Sequence, residues 1–252
     1  MANKISIFGK KKFNDFEELE LNRLLSDSAP FDVREAYLKL CTNISFIPSE
    51  KHCKTIAVTS AVGGEGKSIS AANIAIGLSD YIGNNKVLLI DSDLRCPKMQ
   101  RVFCDKDSSA RGLSEYLTGS DEELTISKNS SYSALDIVYA GTAAPNPVSL
   151  LSSKKLRDVI EKLEQVYDYI IIDTPPVSLV TDALLYSSFV DGYIISTRAD
   201  YSNINLVNET VNTISDVNGK VLGVVLNSAK SKRQKNNTCY TYGLSEDYAS
   251  KS

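Results

Sequence analysis

Six short apolar runs separated by stretches of helical periodicity constrain this chain more than any other feature of its sequence. They cover residues 55–60 (TIAVTS), 86–91 (KVLLID), 135–139, 169–173 (YIIID), 192–197 and 220–227 (KVLGVVLN). A strand that is apolar without alternation is buried on both faces, as parallel strands under crossover helices are. Helices are expected over residues 67–81, 152–163, 182–189 and 203–217. The pattern predicts an α/β fold: a mostly parallel central sheet with helices on both faces.

The ends read differently. Residues 1–50 are expected to form an N-terminal helical extension. One helix is placed over residues 15–25, and a second runs from an N-cap at Asp32 through Tyr37, Leu40 and Ile44 until Pro48 stops it. Residues 51–228 are expected to form one central domain that carries these strands. Beyond Asn227 the composition turns basic and polar at Lys230, Lys232, Arg233 and Lys235, and residues 229–252 are read as a flexible, tyrosine-containing tail.

Composition excludes several classes. With 28 Lys and Arg against 31 Asp and Glu, the net charge of -3 lacks the basic footprint of a nucleic-acid binder. No apolar run approaches the ~18 residues of a membrane helix. The first residues, MANKISIFGKKKF, carry lysines with no apolar stretch behind them, so no secretory signal is expected. Cys41, Cys53, Cys96, Cys104 and Cys239 are scattered without CxxC spacing, which fits reduced thiols rather than a disulfide framework or zinc site. The single histidine, His52, is read as a surface residue and cannot build a histidine-based triad.

The chemistry concentrates at strand ends. After the first strand comes Ser60-Ala61-Val62-Gly63-Gly64-Glu65-Gly66-Lys67-Ser68. This is the phosphate-loop pattern, with Ala61 where its first glycine would stand. Glycines let successive N–H groups turn inward, and the helix opening at Lys67 adds its positive end. Lys67 is expected to reach the β- and γ-phosphates of ATP, and Ser68 to ligate Mg²⁺. The expected nucleotide contacts are Gly63, Gly64, Glu65, Gly66, Lys67, Ser68 and Ile69. Asp91 and Asp93 end the second strand and Asp173 ends another, where open α/β sheets bind ligands. Three acidic strand ends around one loop point to Mg²⁺, an oxygen-seeking cation. A carboxylate that merely caps the following helix is the competing reading.

These residues resemble the bacterial tyrosine kinases of capsule and exopolysaccharide synthesis. The resemblance rests on the GEGKS loop, on Asp91-x-Asp93-x-Arg95 after an apolar strand, and on Asp173-Thr174-Pro175-Pro176 after another. It extends over roughly residues 31–227, through segments such as DLRCPKMQRVF and RGLSEYLTGS. It implies a P-loop NTPase fold and an ATP-dependent protein-tyrosine kinase that phosphorylates its own C-terminal tyrosines in trans. Here Tyr240, Tyr242 and Tyr248 are the expected acceptors. The catalytic residues implied are Lys67, Asp91, Asp93 and Asp173, with Ser68 and these aspartates around the metal; Asp91 and Asp93 share the roles of base and metal partner. Arg95 is expected to orient a carboxylate or meet a neighbouring subunit.

Resemblance to the Gram-positive branch implies a cytoplasmic protein recruited to the inner face of the membrane. The recruiting partner is a membrane-anchored activator of the chain-length-determinant type, acting through its cytoplasmic tail, and a cognate phosphatase reverses the reaction. The related MinD/ParA ATPase switches are the alternative, but their signature lysine is replaced by Val62. Asn227 resembles an adenine-contacting asparagine that both groups share. The family's Glu-x-x-Arg-x-x-Arg ring-closing helix matches Glu35, Leu38 and Cys41, so both arginines are missing and the ring is in doubt.

Overall fold

A computed structural model of the chain describes residues 23–49, 51–83, 85–103, 111–129 and 131–229. The expected helix at residues 15–25 and the tail with Tyr240, Tyr242 and Tyr248 lie wholly or mostly outside them.

The apolar runs become the strands. They are β1 (Lys54–Ser60), β2 (Val87–Asp91), β4 (Leu135–Val138), β5 (Tyr169–Asp173), β6 (Gly192–Arg198) and β7 (Val221–Asn227). The sheet order is β3-β4-β2-β5-β1-β6-β7, parallel throughout except where β3 (Ser127–Lys128) pairs antiparallel with β4. The sequence reading missed β3, a two-residue polar edge strand with no hydrophobic signature.

Alternate residues of each strand serve opposite faces. Ile56, Val58, Val87, Leu89 and Ile171 pack under α1 (Phe31–Ser45) and α2 (Lys67–Ile76). Ala57, Leu88, Ile90, Ile170 and Ile172 pack under α6 (Lys154–Leu163) and α7 (Ile204–Asp216). Short helices α3 (Met99–Val102), α4 (Leu113–Thr118) and α5 (Pro147–Leu151) fill the connections. Among the described residues no helix is long and apolar enough to cross a membrane.

Four helix boundaries differ from expectation. Asp32 does not cap α1; Pro30 occupies that position, and Asp32 lies in the first turn with its carboxylate accepting the Val33 N–H. Proline's fixed φ starts the helix without a side-chain cap, and the acid there still favours the helix dipole. Ser153 rather than Ser152 begins the next case: its hydroxyl accepts the Leu156 N–H and opens α6. The helix expected through residue 189 is a 3₁₀ turn, Asp182–Tyr186, pinned by the fully buried Asp182 and Tyr186. Lastly, α2 stops at Ile76 and widens into a π-helical turn, Gly77–Tyr81.

At that widening α1 and α2 touch. A Cβ on Gly77 would lie 2.6 Å from the Sγ of Cys41, which is itself fully buried. Cys41 therefore faces the core, and its position on the helix presents nothing to a neighbouring subunit. Glu35 remains on the exposed side. His52 lies at the surface, 3.3 Å from the Asp168 carboxylate, and Cys41, Cys53 and Cys96 are free thiols. Gly77→Ala is expected to wedge α1 from α2 and destabilise the fold by about 1–3 kcal/mol, read as a lower urea midpoint.

Candidate active site

The register of the sheet assembles the site. Asp91 at the end of β2 pairs directly with Asp173 at the end of β5, and Val58 of β1 flanks Asp173 on the other side. The loop leaving β1 rises over these ends and delivers Lys67 as the first residue of α2. Gly66 precedes it at φ +87°, a conformation glycine reaches freely.

The Lys67 ammonium lies 2.9 Å from Asp93 Oδ2 and 3.6 Å from Asp173 Oδ1, all three side chains buried. Burial alone would lower its pKa; Asp173, Asp93 and Asp91 outweigh that and hold it above the ordinary lysine value. One ammonium does not balance three carboxylates. Both Asp173 oxygens are buried without a close hydrogen bond, and burial pushes that carboxyl up although the Lys67 ammonium and the nearby Ser68 hydroxyl pull against it. An orphaned buried carboxylate beside a hydroxyl-bearing Ser68 fits a hard divalent cation. Among the described residues no three His, Cys, Asp or Glu side chains converge closely enough to chelate one alone. The donor set therefore suits a cation held by one or two carboxylates, with phosphate oxygens and water completing its shell.

Asp91 is the carboxylate that caps. It accepts the backbone N–H groups of Asp93 (3.2 Å), Lys98 (3.0 Å) and Met99 (2.9 Å), ordering the turn into α3. Burial, then the neighbouring Asp173, pushes its carboxyl up to about 7 against those donors. Asp93 holds the same turn through the Cys96 N–H while facing Lys67. Arg95 orients a carboxylate, as one of its two expected roles had it: its guanidinium grips the buried Asp182 at 2.8 and 3.0 Å.

Two expected nucleotide contacts are placed with more detail than the sequence offered. The Glu65 side chain turns into the protein, where it accepts the Val62 N–H (3.0 Å) and bonds Ser202, so its backbone is what remains for a phosphate. The Asn227 amide nitrogen donates to the Glu65 carbonyl (2.9 Å), bracing the loop. Gly64, Gly66, Ile69 and Asn227 line one side of a cavity of about 390 Å³, and Leu24 and Pro30 of the N-terminal segment line the other. Asn73 of α2 pins that segment, its amide accepting the Leu25 N–H (2.7 Å) and donating to the Arg23 carbonyl (3.0 Å). Sequence reasoning missed Asn73, Tyr201 and Ser202, because each meets its partner across long sequence separations and belongs to no motif.

Residues 53–226 match the family model described as an AAA domain. Tyrosine-protein kinase CpsD of Streptococcus agalactiae is 34% identical over 209 residues, covering 83% of this chain and 86% of the relative. The kinase domain of Escherichia coli tyrosine kinase ETK superposes with a TM-score of 0.72 at 29% identity, covering 83% of this chain and 79% of that one. The chain belongs to the bacterial tyrosine kinases. A more distant likeness is to a plasmid partition protein of Borrelia burgdorferi B31 bound to AMPPNP, with a TM-score of 0.55 at 28% identity over 73% of this chain and 79% of that one. As a bacterial tyrosine kinase with this loop, the protein is a nucleotide-binding enzyme.

Asp91 gives the kinase a pH signature. The unfolded chain releases this proton near 3.9, whereas the fold holds it to about 7. Its contribution to stability is complete below about pH 4 and lost as pH rises through about 7. Urea midpoints of the nucleotide-free protein should fall across that window, and Asp91→Asn should flatten the slope. In a separate melting measurement, a divalent cation alone should raise the Tm of the wild type and do so far less in Asp173→Asn.

Proposed function

We propose that this protein transfers the γ-phosphate of ATP to Tyr240, Tyr242 and Tyr248 of a neighbouring copy, and thereby regulates capsular or exopolysaccharide synthesis or export. The observation that carries this reading is the convergence of Lys67, Asp93 and Asp173 beside a glycine loop in a chain of this family. Lys67 and the loop N–H groups hold the phosphates. Ser68, Asp93 and Asp173 are the residues that would hold Mg²⁺, which when bound neutralises charge on the phosphoryl oxygens. Asp91, with a carboxyl that titrates near neutrality, takes the proton of the incoming tyrosine hydroxyl. The oxygen–phosphorus bond to tyrosine forms as the bond to ADP breaks.

The proposed setting is the cytoplasmic face of the membrane, where a membrane-anchored activator of the chain-length-determinant type recruits the kinase and a cognate phosphatase resets it. Self-association brings the tail of one copy to the site of the next. The buried Cys41 removes one of the usual ring contacts, so the assembly relies on other surfaces. An ATPase switch without tyrosine transfer remains the alternative, favoured only by the likeness to partition proteins.

Incubation with ATP and Mg²⁺, with and without an activator tail, followed by mass spectrometry, tests the proposal. Phosphotyrosine is expected at one or more of the three tail positions, and Lys67→Met should lower it about 100-fold or more while leaving the fold intact. ATP hydrolysis with no phosphotyrosine under either condition would replace the kinase reading with the ATPase switch.

A further inference from the structure

Three peptide units of the phosphate loop are gripped from outside by their carbonyls. The Ser60 hydroxyl donates to the Val62 carbonyl (2.8 Å), and the Tyr201 phenol donates to the Gly63 carbonyl (3.0 Å). Ser196 and Asn227 both donate to the Glu65 carbonyl, each at 2.9 Å. A trans peptide is planar, and its N–H points opposite to its C=O. Holding these carbonyls outward therefore turns the N–H groups of Gly63, Gly64 and Gly66 inward. Inward N–H groups are what a phosphate-binding nest requires.

Ser60, Ser196 and Asn227 belong to strands of the sheet, so the fold places them regardless of the loop. Tyr201 does not. It sits on the turn after β6, 55% exposed, whereas every other tyrosine among the described residues is buried or half-buried. Burial of its ring does not explain its position; the bond to Gly63 does. The turn is built to hold it there. Asp200 adopts φ +59°, a strained conformation for a non-glycine residue. The Arg198 guanidinium covers the Tyr201 ring at 5.5 Å, and Ser202 exchanges hydrogen bonds with the Arg198 backbone at 2.8 and 2.9 Å. From the same turn the Ser202 hydroxyl bonds the buried Glu65 carboxylate, whose other oxygen accepts the Val62 N–H.

We propose that Tyr201 and Ser202 are positioning residues that clamp the phosphate loop in its nucleotide-ready shape. Tyr201 acts through the Gly64 N–H, and Ser202 acts through Glu65. The proposal rests on the reading of residues 61–68 as a nucleotide phosphate loop. A loop with three glycines has many conformations to lose when nucleotide arrives. The clamp removes that freedom beforehand, so its loss weakens nucleotide binding more than it weakens the fold.

Binding of a fluorescent non-hydrolysable ATP analogue, steady-state kinetics and thermal melting of the full chain test this. Tyr201→Phe keeps the ring and deletes only the donor; it should raise Kd and the KM for ATP about three- to tenfold, with kcat within about twofold and Tm within about 2 °C. Ser202→Ala should shift Kd in the same direction, and Ser202→Thr, which retains the hydroxyl, should restore it. An unchanged Kd in Tyr201→Phe would overturn the clamp. So would phosphate found on Tyr201 in the active enzyme, because an ester oxygen has no proton to donate to Gly63. The analogue reads loop order whether or not tyrosine is the acceptor. A raised Kd in Tyr201→Phe with no tail phosphotyrosine in the wild type would thus keep the clamp and sink the kinase reading.

Discussion

The buried meeting of Lys67 with Asp93 and Asp173 is the interaction on which the rest of the structure depends. Carboxylates at neighbouring strand ends repel one another in a medium that screens poorly, and a cation among them, with protonation and backbone N–H donors at Asp91, makes their burial tolerable. The parallel sheet creates that problem by bringing β2 and β5 into register at Asp91 and Asp173. The loop after β1 answers it by delivering a lysine at the head of a helix. A single positive charge faces three carboxylates there, and the cluster keeps its electrostatic strain at the mouth of the glycine loop.

Around this centre the carboxylates divide their labour by what they touch. Asp91 spends its oxygens on backbone N–H groups and so shapes the turn that carries Asp93 and Arg95. Asp93 faces the ammonium, and Asp173 is buried without a close hydrogen bond. Identical side chains at strand ends thus end in three different electrostatic situations, set by the polarity of the immediate neighbours.

Much of this was legible in the sequence. Strands buried on both faces announce themselves as unbroken apolar runs, and β1, β2, β5, β6 and β7 fall within a residue of where periodicity placed them. Lys67, Ser68, Asp91, Asp93 and Asp173 were legible because each sits at a strand or loop end fixed by that pattern. Helix ends were less so. Ser152 and Ser153 are the same capping residue one position apart, and Pro30 begins α1 two residues ahead of the capping residue Asp32, within the span over which helix ends blur. Gly77, where the π-helical turn begins, leaves Cys41 of another helix the room a Cβ would take, and no local signal reports such a contact. The polar strand β3 pairs only eight to ten residues away and was illegible because it carries no hydrophobic signature. The contacts of Asn73, Tyr201 and Ser202 were illegible because their partners lie dozens to more than a hundred residues away.

The tie between Asn73 and the N-terminal segment has a mechanical side. Asn73 stands six residues along α2 from Lys67, roughly 9 Å at ~1.5 Å per residue. A helix is stiff over that length, so a displacement of residues 23–25 is passed through the Asn73 amide to the head of the helix, where Lys67 meets its carboxylates.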